Sequence, residues 1–129
     1  MKKGYLAHYC CCGNTTYKQS VVCVDNNTLC SIEKFAAETP HTTFYDGLLI
    51  VVSPTFHDRC DAFVELLQEI LAQDPQLTIT DAIQQTDIYN NHPATIDEEC
   101  HIYTLSPITW HTLRPTNPKE LRIALIKGL

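Results

Sequence analysis

The sequence predicts an α+β domain: a β-sandwich or partial barrel built from the N-terminal strands and the C-terminal tail, with two helices in the middle. Three observations carry that prediction. β-type runs fill residues 1–57, a helical stripe runs through 58–90, and short β-type pieces broken by prolines return over 91–129. At 129 residues the chain has the size of one domain. Folding a chain of that length buries roughly two-thirds of its unfolded surface, enough for a core without staples.

The elements follow in order. Tyr5 to Cys12 reads as a strand ending at the Gly13-Asn14 turn, and Lys18 to Val24 as the second strand. Asp25-Asn26-Asn27 tolerates left-handed turn geometry, so Leu29 to Ile32 returns as a hairpin partner. Phe35, Ala36 and Ala37 make a short connection up to Pro40. The run from Thr42 to Ser53 is interrupted at Asp46-Gly47, and Leu48 to Val52 is apolar throughout, as in a strand covered on both faces. Only the helices are at hand to cover it. Phe63, Leu66, Leu67, Ile70 and Leu71 form one helical stripe, with Asp58 or Asp61 as its cap and Asp74-Pro75 as its end. Thr78, with Asp81 three residues on, caps a second helix that buries Ile79, Ala82 and Ile83 and ends by Asn90-Asn91. His101 to Leu105 reads as a strand; Leu121 to Ile126 is either a last strand or a helical turn.

Composition narrows the function classes. A net charge of −6 with nine scattered basic residues argues against nucleic acid, which needs clustered Lys and Arg. No apolar run approaches the roughly 20 residues of a membrane span. The N-terminus makes a poor export signal, because Lys2 and Lys3 are soon followed by His8 and Asn14. Seven cysteines without an export signal point to reduced thiols and a cytoplasmic protein. Four glycines make no phosphate-cradling loop, and no cofactor is expected.

Two clusters are candidates for chemistry. His8, Cys10 and Cys12 would share one strand face, the pattern of a metal site. Alternate strand positions lie about 6.5–7 Å apart, too far for short thiol arms to converge, so cysteines filling a core are the default. His57-Asp58 with Cys60 could supply a nucleophile, base and orienting acid, but such groups usually meet across a fold. His92, His101 and His111 share no spacing, and Asp97-Glu98-Glu99 reads as a solvated turn with some capacity for a cation.

The run Phe44-Tyr45-Asp46-Gly47-Leu48-Leu49-Ile50 resembles the opening of the amidohydrolase superfamily, in its members related to cytosine deaminase and chlorohydrolases. There a small β-domain leads into the first barrel strand and a metal-ligating His-x-His pair. Ala62 to Asp81 is similar to the helix after that family's last barrel strand, and Trp110 to Leu125, with Leu113-Arg114 and Arg122, to its closing strand and tail. The resemblance implies both ends of an amidohydrolase, a composite β-domain with nearly all of the barrel missing between residues 50 and 62. A (β/α)₈ barrel takes about 250 residues. No second histidine stands two residues from His57, and with Ser53-Pro54 set against that family's last barrel strand the metal-binding aspartate would be replaced by Pro54, so the resemblance implies no metal catalysis.

The expected function is therefore a non-catalytic amidohydrolase-like binding or assembly module, a homodimer or the partner of another protein. Its contact residues are expected among Phe44, Tyr45, Tyr103 and Trp110, the aromatics of the segments that would have met the barrel. A small metal-binding protein or hydrolase using the His and Cys residues is the rival, and an inactive remnant of a decayed gene a third reading.

Overall fold

The computed structural model describes residues 2–36 and 41–129. The far end of the connection running to Pro40 lies outside the described residues. Two main sheets, a two-stranded ribbon and a helical layer make up the described residues. A four-stranded sheet has the order β5-β4-β1-β6, from β1 (Lys2–Leu6), β4 (Ser20–Asp25), β5 (Thr28–Lys34) and β6 (Thr42–Phe44). A five-stranded sheet has the order β11-β8-β7-β2-β3, from β2 (Tyr9–Cys12), β3 (Thr15–Lys18), β7 (Leu48–Val52), β8 (His101–Ser106) and β11 (Arg122–Leu125). The N-terminal strands and the tail thus share one sheet. Residues 121–126, left open between strand and helix, supply the strand β11, which pairs antiparallel with β8.

The two long β runs of the N-terminus each divide into two strands. Residues 2–12 and 15–25 form one long hairpin around Gly13-Asn14, and the hairpin bends across a corner. Its root, β1 against β4, lies in the small sheet; its tip, β2 against β3, lies in the large one. The bend falls at Ala7-His8 on one arm and at Gln19 on the other. There Gln19 takes a positive φ of 49° and its N–H donates to the His8 carbonyl at 2.9 Å. A third segment crosses the same corner. β6 runs parallel to β1, β7 runs parallel to β2, and Tyr45-Asp46-Gly47 makes the step between them. The Asn26-Asn27 turn is as expected, with φ of 49° and 69°, and Cys30 bulges out opposite Cys23 and Val24.

β7 is buried at every position, and successive side chains point to opposite sides. Leu48, Ile50 and Val52 join Cys11, Tyr103 and Leu105 beneath the helices. Leu49 and Val51 join Cys10, Val22, Val24, Leu29, Cys100 and Ile102 between the two sheets. Cover on the second face therefore comes from the four-stranded sheet, where helices alone were expected. The predicted α+β class holds, with a sandwich covered on one side by helices.

The helical layer is α1 (Cys60–Gln73), α2 (Ile79–Gln84) and α3 (Asp87–Asn90), preceded by a 3-10 turn over Pro54–Arg59. Phe63, Leu67 and Leu71 bury the stripe of α1, while Leu66 and Ile70 are half-buried. Neither Asp58 nor Asp61 caps it. The cap has moved to the 3-10 turn, where Ser53 Oγ accepts from the Thr55 N–H, and Phe56 in that turn is fully buried. Thr78 caps α2 as expected. The segment read as one helix to Asn90 is two, because Thr86 interrupts it: its buried hydroxyl donates to the Ile83 carbonyl and accepts from the Tyr89 N–H. Tyr89 reaches across to the tip of the hairpin, where its hydroxyl donates to the Gly13 carbonyl at 2.6 Å.

Candidate functional site

An aromatic surface caps the corner where the three segments cross between sheets. Trp110 follows the short strand β9 (Ile108–Thr109), which pairs with β10 (Arg114–Pro115). Its indole stacks on Tyr9, with centroids 6.0 Å apart and planes at 18°, and lies 4.8 Å from the His8 ring. His8 in turn meets Phe44 edge-on at 5.4 Å. The Trp110 N–H donates to Asp46 Oδ1 at 3.3 Å, which fixes the ring over the corner. Phe44 is 53% exposed, more than any other large apolar side chain among the described residues. Ring faces and edges of this kind suit apolar or aromatic contacts.

Of the four aromatics expected at a contact surface, Phe44 and Trp110 are here. Tyr45 is half-buried and packs against Tyr5, with centroids 6.0 Å apart. Tyr103 is 3% exposed, 5.5 Å from Phe56, and has no face to offer a second chain. The alternation of β8 accounts for this, because Tyr103 shares the inward side with Leu105. His8 and Tyr9 are the members that sequence reasoning missed, because they were read as interior to a straight strand.

The candidate metal residues do not converge. The bend at Ala7-His8 turns the His8 ring toward Phe44 and Trp110, while Cys10 is buried between the sheets and Cys12 is partly buried beside that core. Among the described residues no group of three His, Cys, Asp or Glu side chains is placed to hold a metal ion. His57 Nε2 lies 3.1 Å from Asp58 on the exposed surface, whereas the Cys60 thiol donates to the His57 carbonyl, not its imidazole. Burial raises the Cys60 pKa, which keeps it a thiol rather than a nucleophilic thiolate. His92 Nδ1 lies 2.7 Å from Thr55 Oγ1, a bond that pins residues 91–93 to the capped turn. His101 Nδ1 is buried without a hydrogen-bond partner, and His111 is exposed. Asp97, Glu98 and Glu99 are exposed and attach to β5 through their backbone, with the Leu29 N–H donating to the Glu98 carbonyl.

The buried thiols make a pH prediction. Burial pushes Cys11 up to about 12 and Cys100 up to about 11, and Cys10 well above the ordinary 9.0. An unfolded chain loses these protons near 9.0, while the native state keeps them to higher pH. The native state binds more protons in that window, so stability falls as pH rises from about 9 toward 12. Urea midpoints measured across this range should drop steadily. A flat profile would show that the thiols are not buried as described.

Comparison with protein-family models, with curated proteins and with solved structures finds no match. What the fold and the site define together is a two-sheet α+β sandwich with an aromatic contact surface at its corner.

Proposed function

We propose that this protein is a non-catalytic binding or assembly module that works as a twofold dimer through the surface of His8, Phe44 and Trp110. One observation carries the reading: a half-exposed phenylalanine stands beside an imidazole and an indole on the outside of the corner. Aromatic side chains are what interface cores favour, and a patch meeting itself across a twofold axis is the commonest way to cover one. The amidohydrolase-like pattern supports the same role. On that resemblance, a β-domain that has lost its barrel must re-cover the surface that met it, make it polar or leave it exposed, and a second copy is the cover proposed here. No helix among the described residues is long and apolar enough to cross a membrane. Cys10, Cys11 and Cys100, buried as thiols, suit a reducing compartment, and the cytoplasm is the proposed location.

Light scattering across micromolar concentrations tests the proposal. The expected mass is twice 14.6 kDa, falling toward 14.6 kDa on dilution and in Trp110→Ala. A mass of 14.6 kDa at every concentration would end the dimer reading.

A further inference from the structure

Two adjoining cavities, of about 300 and 680 Å³, run along α1 where the 112–119 segment crosses it. Leu71, Pro75 and Pro118 line both, so together they make one groove with an apolar floor. The far wall is held by Gln68, whose side-chain amide donates to the Pro118 carbonyl at 3.0 Å and the Lys119 carbonyl at 3.4 Å. Arg114 lines the smaller cavity at the C-terminal end of α1. One of its terminal nitrogens donates to the Pro75 carbonyl and to Gln76 Oε1, each at 3.2 Å. Both acceptors are neutral. The nearby Asp74 carboxylate accepts from the Gln76 N–H, and no carboxylate among the described residues forms an ion pair with Arg114.

We propose that this groove binds a small apolar monocarboxylate, with the acid group on Arg114 and the hydrocarbon body along Leu71, Pro75 and Pro118. As a clasp on the end of α1, Arg114 uses only one nitrogen. The rest of its planar fork stays available, and a carboxylate is the group that matches it in charge and geometry. The cavities fall within the size range of small-molecule sites, and the floor suits a hydrocarbon chain. The other end of the groove sets a limit on the ligand. Glu65 and Glu69 line it, with Glu65 about 12 Å before the helix end at 1.5 Å rise per residue, so a second acid group is disfavoured there. Lys119 on the opposite wall is one cation against these two carboxylates, so that end keeps a net negative charge. The site does not depend on the dimer, whose surface involves other residues.

Calorimetric titration with sodium octanoate tests it, with octanol and octylamine as head-group controls and nuclear magnetic resonance to map the shifts. Octanoate should bind saturably with one site per chain, and the shifts should centre on Leu71, Thr112 and Arg114. Arg114→Gln should weaken octanoate at least tenfold and leave octanol unchanged. Ala72→Phe, which fills the groove from an exposed helix position, should abolish both. Equal binding of octanoate and octanol to the unaltered protein would overturn the proposal, and so would shifts away from the groove. If Arg114→Gln loosens the helix end, that octanoate-against-octanol comparison still decides.

Discussion

Ending the chain after Cys100 is expected to leave no cooperatively folded protein. β8 lies between β7 and β11, so its loss strips the central strand of an antiparallel neighbour and removes the sheet's edge with it. The same cut removes Ile102, Tyr103, Leu105 and Leu121, all buried, from two separate cores. Each such side chain stabilises the fold by about 1.5–3 kcal/mol when fully buried. Four of them together reach the whole stability of an ordinary domain, about 5–15 kcal/mol. The backbone of β7 would also be left buried with unpaired polar groups. Circular dichroism with a urea titration checks this. A truncated chain with a cooperative transition would show that residues 101–129 are an appendage.

The second large effect is expected at Phe56. This ring sits in the short 3-10 segment Pro54–Arg59, yet it is fully buried, 5.2 Å from Phe63 and 5.5 Å from Tyr103. It joins the start of the helical layer to the large sheet. Phe56→Ala should therefore cost about 3–5 kcal/mol, the range for removing a buried aromatic ring. Phe44→Ala, on the exposed corner, should change the stability of the monomer by no more than about 0.5 kcal/mol. Urea unfolding of the two variants side by side, below the concentration at which any dimer forms, measures the contrast. Similar losses from both would mean that the burial pattern described for the corner is wrong.

How much of this could be read from the sequence depended on whether the signal was local. The Asn26-Asn27 turn, the stripe of α1, the Thr78 cap and the run of β7 are set by a few neighbouring residues, and each stands where it was expected. The corner was not legible. No glycine or proline interrupts residues 5–12 or 18–24 at the bend, and the left-handed residue that marks it is Gln19. Missing the bend also misplaced His8, which was read with Cys10 and Cys12 instead of with Phe44 and Trp110. Tyr103 is hidden for a different reason: its alternation with Leu105 turns it inward, which its aromatic type alone does not reveal. The groove along α1 is closed by Arg114, Pro115 and Pro118, some forty residues past the end of the helix, and only the folded chain brings them together.

Self-association through the corner is the central claim, and Phe44→Lys tests it most directly. The substitution puts a charge into the exposed centre of the patch without touching either core, so the fold should survive. Sedimentation equilibrium of the unaltered protein and the variant, paired with urea unfolding of each, separates contact from stability. The account predicts a dimer for the former and a 14.6 kDa monomer for the latter, with the variant still folded and cooperative. A variant that associates as tightly as the unaltered protein would contradict it.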